Sequence, residues 1–245
     1  MILPKSEDAI HKAWLYRLLT EIYDDSLLAN TLYFKGGTCA AMLGHLDRFS
    51  VDLDFDFAAD KKDLPAVRKH LETVFRKLGL EIKDGSKVVP QYFLRYNALQ
   101  NQRNTIKIDT TMPPPKSNAY ETKEFREIDR MIPCQTIETM FANKLVAAID
   151  RFKKNHSIAG RDIYDIHHFF IQGFSYNEKI ILERTGKTAD IFFKKLIQFI
   201  KDRITEKILE QDLNTLLPRE KFQRIRKILT RETLVFLNDE LARLR

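Results

Sequence analysis

Cysteine is nearly absent: Cys39 and Cys134 are the only two in 245 residues. Two cysteines cannot build a disulfide framework, and neither has a CxxC or Cys/His neighbour that would suggest zinc. Both read as buried small apolar residues of a protein kept in a reducing cytoplasm. Long apolar runs are also missing. No stretch approaches the ~20 residues of a membrane span, because charges interrupt every candidate. The first residues, Met1 to Asp8, turn acidic without an apolar block, so no export signal is expected. Repeats and low-complexity segments are not visible.

What is present is ordinary for a globular chain: 44% hydrophobic and 31% charged residues. The charge is unevenly placed. Residues 1–150 hold 21 Lys+Arg and 21 Asp+Glu, whereas residues 151–245 hold 20 and 13, so the whole formal +7 lies in the last 95. A neutral front and a basic rear suggest chemistry in front and polyanion binding behind. A lysine-rich solvated helical surface would give the same count.

Periodicity predicts an opening helix over 7–23, with Ile10, Trp14, Leu15, Leu18, Leu19 and Ile22 on one face. Thr31–Phe34 is β-like and runs into Lys35-Gly36-Gly37-Thr38, followed by a short helix ending near Gly44. From Val51 to Phe57 the pattern alternates, with Val51, Leu53, Phe55 and Phe57 on one face and Asp52, Asp54 and Asp56 on the other. A helix over 63–78 precedes short strands at 80–83, 88–96 and 105–110, with turns at Asp84-Gly85 and 101–104. Residues 119–133 look extended, after Pro113-Pro114-Pro115. Helices are expected at 137–153, 161–172, 177–184, 187–209 and 220–243. The reading is an α/β (α+β) front domain, 1–135, and a helical rear domain, 136–245.

The chemistry concentrates in the strand, Gly-Gly-Thr, helix, Asp-x-Asp order. Two glycines let backbone approach a triphosphate, and the helix that starts there offers unpaired N–H groups to the anion. Thr38 adds a hydroxyl for a phosphate oxygen. Asp52 and Asp54, two apart on a strand, share a face and can hold hard divalent cations. Two-metal phosphoryl transfer needs such closeness, since the ions sit ~3.5–4 Å apart. Asp109, on the 105–110 strand, is the preferred third carboxylate, with Asp56 its rival. The alternative is a strand face merely decorated by aspartates, which is costly if buried because like charges repel.

These residues resemble a known family. Lys35-Gly36-Gly37-Thr38 with Arg48-Phe49-Ser50-Val51-Asp52-Leu53-Asp54-Phe55 is similar to the first motif of the nucleotidyl transferase AbiEii toxin family. That family belongs to the DNA polymerase β-like nucleotidyltransferases. Glu138-Thr139-Met140-Phe141-Ala142-Asn143-Lys144-Leu145 resembles its lysine-bearing helix, and Arg161-Asp162-Ile163-Tyr164-Asp165-Ile166 its closing RDxxD signature. Order and spacing agree over about residues 33–172. Val51 departs from the pattern, which commonly has an acidic or small polar residue there.

The resemblance implies a polymerase β-like core with a mixed sheet. It also implies that Lys35, Gly36, Gly37, Thr38, Ser50 and Arg161 bind the nucleotide and that Asp52 and Asp54 hold Mg²⁺. Lys144 would contact phosphate or stabilise developing charge, and Asp162 and Asp165 would complete the catalytic set. Taken singly, Lys144 reads as a surface lysine and Asp162 as a helix-start residue. The implied reaction moves NMP from an NTP to an acceptor hydroxyl, expected on an RNA (tRNA) 3′ end, in a toxin with an antitoxin encoded nearby. A protein hydroxyl as acceptor and a non-catalytic RNA-binding relative are the alternatives. His167-His168 diverge by ~100° on a helix, so one is expected in the core and the other at the surface.

Overall fold

The computed structural model describes residues 1–100 and 102–244. Asn101, the first residue of the expected 101–104 turn, lies outside the described residues. The chain forms two compact units, Met1–Pro114 with Tyr120–Gln135, and Pro115–Ala119 with Thr136–Arg245. The segment 115–119 departs from a simple break at 135/136. Its Lys116 and Ser117 N–H groups donate to Glu183, and Ala119 N–H donates to the Thr139 hydroxyl.

The first unit opens with α1 (Asp8–Asp24) and α2 (Ser26–Thr31). Leu15, Leu18, Leu19 and Ile22 of α1 are fully buried. The buried stripe differs from the expected one at its start: Ile10 is 40% exposed, and the next residue, His11, is 1% exposed. The second helix was not apparent from periodicity because it is a single capped turn and a half. Asp25 stops α1 and caps α2, its carboxylate accepting from the N–H groups of Leu27 and Leu28.

The remaining elements are β1 (Leu32–Lys35), α3 (Gly36–Met42), β2 (Leu53–Phe57), α4 (Leu64–Lys77), β3 (Glu81–Gly85), β4 (Tyr92–Arg95), β5 (Thr105–Thr111), β6 (Tyr120–Phe125) and β7 (Arg130–Gln135). Seven strands make one mixed sheet in the order β3-β4-β5-β2-β1-β7-β6. β1 pairs antiparallel with β2 and parallel with β7, while β2 pairs parallel with β5. Two expectations shift here. Asp84-Gly85 complete β3 instead of forming a turn, and the strand expected from Val51 starts only at Leu53.

The register separates the faces. Leu32, Phe34, Leu53, Phe55, Phe57, Ile106 and Ile108 are buried at 0–1% exposure, on the apolar side. In-register pairs Lys35↔Asp54, Asp54↔Asp109, Tyr33↔Asp56 and Asp56↔Thr111 put polar side chains together on the other. Directly paired residues project to the same side of a sheet, so period-2 patterning on three separate strands converges on one polar surface.

The second unit is helical: α5 (Ile137–Asn155), α6 (Gly160–Ile171), α7 (Glu178–Thr185), α8 (Ala189–Arg203), α9 (Glu206–Leu213), α10 (Arg219–Ile225) and α11 (Leu229–Arg243). Phe141, Phe169, Phe193, Leu196 and Leu237 are buried in it. Both long helices expected near the end are broken. One ends at Arg203, and Thr205 caps the next helix, its hydroxyl accepting from Ile208 N–H. Residues 226–228 separate α10 from α11. No described helix is long and apolar enough to cross a membrane.

Candidate active site

In the first unit the glycine turn and the aspartates meet. Gly36 has φ +79°, a left-handed conformation that glycine adopts without steric penalty. A Cβ at Gly36 would lie 2.5 Å from Asp54 Oδ2, so the turn is open to this carboxylate only because no side chain stands there. A Cβ on Gly37 would lie 2.8 Å from the Arg48 guanidinium and 2.9 Å from Ser50 Oγ. The two glycines thus serve close approach of charged side chains as well as any ligand.

Thr38, expected to offer its hydroxyl to phosphate, is 0% exposed, and its Oγ1 donates to the Asp52 carbonyl. Lys35, another expected nucleotide contact, donates from Nζ to Asp56 Oδ1 at 2.7 Å and to the Thr111 hydroxyl. Asp56 is wholly buried and also accepts from Tyr120 Oη at 2.8 Å and Gln135 Nε2 at 2.6 Å. It is a structural anion, with no surface left for a metal. Asp109 faces Asp54 in register as expected, but its oxygens already accept from Gln91 Nε2 at 2.9 Å and Lys107 Nζ at 2.5 Å. Ser50 is 9% exposed beside Gly37. Asp52 and Asp54 both retain partial exposure.

The donor set suits a hard divalent cation. Asp52 and Asp54 carry carboxylate oxygens beside the glycine turn, and Mg²⁺ is commonly held by one or two carboxylates with substrate oxygens and water. Among the described residues no group of three or more His, Cys, Asp or Glu is gathered to cage a metal. A cage of Asp52, Asp54 and Asp109 is therefore not assembled.

The second unit holds the other expected residues. Asp162 and Asp165, one turn apart on α6, both bind Lys144 Nζ from α5 at 2.9 Å. Arg151, two turns beyond Lys144 on α5, donates from Nε to Asp162 Oδ2 at 2.8 Å. Burial alone would raise the Asp162 pKa, but Lys144 and Arg151 hold it down at about 2. Both aspartates are 0% exposed, whereas the Lys144 side chain keeps 16%. The carboxylates hold the lysine and present nothing to a ligand themselves. Arg161 is half-buried, and its N–H lies 3.4 Å from Asp212 Oδ2. His167 is 2% exposed and bonds Glu232 at 2.8 Å, while His168 is half-buried against the Tyr164 ring.

Several participants escaped the sequence reading. Arg48 was visible in the first motif but had no assigned role. Gln135 and Tyr120 come from other strands, Gln91 from the residue before β4, and none carries a local signal. His11 lies 40 residues from its partner, the Val51 carbonyl. Arg151 was detectable in principle, since i and i+7 share a helix face.

A left-handed glycine pressed against a strand carboxylate, with a second aspartate just upstream and a mixed sheet behind, is the arrangement expected of a nucleotidyltransferase. The fold is shared with JHP933 from Helicobacter pylori at 19% identity, covering 99% of this chain and 96% of that one, with a TM-score of 0.59. It is shared too with MenT4, a nucleotidyltransferase toxin from Mycobacterium tuberculosis H37Rv, at 18% identity, covering 97% and 87%, with a TM-score of 0.54. At these identities the likeness establishes the fold alone. No curated protein matches the sequence significantly. The family model described as "Nucleotidyl transferase AbiEii toxin, Type IV TA system" matches residues 17–232, and the chain belongs to that family. It is a nucleotidyltransferase of the toxin class, and membership implies a nucleotide substrate and a cognate antitoxin.

Proposed function

We propose that this enzyme transfers NMP from a Mg-NTP to the 3′ hydroxyl of an RNA, tRNA being the expected class, as a cytoplasmic toxin restrained by an antitoxin encoded nearby. The observation that carries the reading is the Asp54 carboxylate lying against Gly36, with Asp52 beside the same turn. Asp52 and Asp54 are the residues to hold Mg²⁺, which when bound would neutralise phosphate charge and lower the pKa of an acceptor hydroxyl. Gly36 and Gly37 admit the triphosphate to main-chain distance. Arg48 and Ser50, packed beside Gly37, border the space the phosphates would enter. In the second unit Lys144, fixed by Asp162 and Asp165, is assigned contact with phosphate, and Arg161 is retained as a nucleotide contact. Asp109 helps position the strand beside Asp54 through Lys107 and Gln91 and is a metal ligand only if those partners yield. Positioning and charge compensation account for most of the catalysis in such transfers.

RNA as acceptor is supported by the basic second unit. Of the run 221–227, Lys221 lies over the Tyr164 ring and Arg226 over Phe222, while Arg224 and Lys227 are exposed. An open groove of about 680 Å³ is bordered by Arg226, Lys227 and Arg231, which outnumber the carboxylates of Glu206 and Asp239 on the same lining. Cations beside such a groove suit a phosphodiester backbone.

The test incubates the protein with total bacterial RNA, Mg²⁺ and each α-³²P-labelled NTP in turn, beside an Asp52→Ala/Asp54→Ala control. A discrete labelled RNA, lost in the control, is the expected result. Label on a protein would transfer the acceptor assignment to a protein hydroxyl. Absence of label on any acceptor would overturn the catalytic reading in favour of binding alone.

A further inference from the structure

Asp52 precedes the strand whose other aspartate it accompanies. β2 begins at Leu53, so Val51 and Asp52 lie outside the ladder. Carbonyls outside a ladder need other donors when water is excluded, and here two side chains supply them. Thr38 donates to the Asp52 carbonyl. His11, from α1, places Nε2 2.9 Å from the Val51 carbonyl. A carbonyl oxygen only accepts, so Nε2 carries a proton and donates to Val51. Nδ1 lies 2.7 Å from the Tyr96 hydroxyl, which in turn lies 2.6 Å from the Arg103 carbonyl. The ring is further confined by Phe49 and Tyr96, with centroids at 6.0 Å and 5.7 Å. His11 is 1% exposed, so this bond does not compete with bulk water.

From this geometry we infer that His11 is a positioning residue for the carboxylate of Asp52. The Val51 and Asp52 carbonyls belong to the two peptide planes that flank the Asp52 Cα. Fixing both planes fixes φ and ψ at Asp52, and with them the direction of its Cα–Cβ bond. Thr38 anchors one plane from the glycine helix, and His11 anchors the other from α1. The inference rests on the reading of Asp52 as a metal ligand. It adds that a residue remote in sequence, and without contact to nucleotide or metal, sets how well that ligand is aimed.

Three substitutions separate this role from simple packing. The His11→Gln side chain carries an amide N–H where Nε2 stands, His11→Asn carries one only where Nδ1 stands, and His11→Leu carries none. Thermal melting reports folding, electron paramagnetic resonance with Mn²⁺ alone reports metal affinity, and the transfer assay reports kcat and the Mg²⁺ half-saturation. His11→Gln is expected to stay within about twofold of the parent in Mn²⁺ affinity. His11→Asn and His11→Leu are expected to lose about tenfold or more, the usual scale for outer-shell partners, with a matching rise in Mg²⁺ half-saturation. Folded Asn and Leu variants with parental Mn²⁺ affinity would overturn the inference. So would equal losses in all three, because the Val51 bond would then not be what matters. Should His11→Leu fail to fold, the Gln/Asn pair decides alone. An Asp52→Ala variant with unchanged Mn²⁺ binding would instead refute Asp52 as a ligand, and that failure is distinct from an absence of transfer to RNA.

Discussion

The Asp54 carboxylate occupies the space where a Gly36 side chain would begin, 2.5 Å from the position of its Cβ. Lys35 and Asp54 are direct partners across the β1–β2 pair, so the chain turns into α3 immediately over this carboxylate. The helix is only seven residues long, so the phosphate contact proposed here depends on the missing side chain more than on a helix dipole.

Substituting Gly36→Ala should cost about 100-fold or more in kcat, the scale expected when a reacting group is displaced by about 1 Å. Left-handed backbone alone costs roughly 1–2 kcal/mol for a residue with a Cβ. Gly44→Ala separates the two effects, because Gly44 has φ +78° but nothing within 4 Å of its Cβ. Steady-state kinetics and urea midpoints should show similar destabilisation in both variants and lost activity only in Gly36→Ala.

Asp56→Asn should unfold the first unit more easily. Its carboxylate accepts from Lys35, Tyr120 and Gln135 in a fully buried position. Removing its charge leaves Lys35, only 17% exposed, without a counter-ion, a change worth about 3 kcal/mol. Differential scanning calorimetry should show the lowered transition. An unchanged melting temperature would mean that water satisfies Lys35.

The pH dependence of stability should carry a His11 signature. Burial lowers the His11 pKa from 6.5 to about 4. Between those values the unfolded chain binds a proton that the native protein refuses. Stability is therefore lost as pH falls from about 6.5 to about 4, by up to ~3 kcal/mol. Urea titrations should show this decline in the parent and a shallower one in His11→Gln. Asp162 acts separately, at lower pH. Its depressed pKa adds stability that is full above its ordinary value and lost as pH falls towards 2.

Gly160→Ala should destabilise the second unit. The added Cβ would lie 2.8 Å from the Ile208 carbonyl oxygen and 2.9 Å from Leu209 Cα, both main-chain atoms that cannot rotate away. A cost of about 1–3 kcal/mol is expected, from the shift forced on α9. Limited proteolysis should then cut near residues 204–214 faster than in the parent.

Lys227→Glu/Arg231→Glu should weaken RNA binding and flatten its dependence on salt, with the slope of log K against log [salt] falling by about 1–2. Lys194→Glu/Lys201→Glu, equal in charge change and set on α8, is the comparison. Equal effects of the two pairs in fluorescence anisotropy would reduce the groove to general electrostatic attraction.

Much of this protein was decided by local pattern. The alternation from Leu53 to Phe57 requires a strand with carboxylates on one side, because side chains alternate across a pleated strand whatever surrounds it. Gly36-Gly37 demands a turn, and the amphipathic spacing of 137–153 and 161–172 demands helices that meet along apolar stripes. Periodicity puts Asp162 and Asp165 on one face of a helix, since i and i+3 are neighbours there, but their roles were read only from the family resemblance and only packing brings Lys144 of another helix between them. What the sequence could not determine is which polar atoms are spent on one another. Asp52, Asp54, Asp56 and Asp109 look equivalent as letters. Only strand order and register put Lys35, Tyr120 and Gln135 around Asp56, and Lys107 and Gln91 around Asp109. Likewise a histidine on α1 and a threonine on α3 become donors to adjacent carbonyls only when the fold brings them to a segment that has left the sheet. Hydrogen bonding is short-ranged and directional, so its pairing is settled by tertiary contact between elements distant in sequence, whereas periodicity is written along the chain itself.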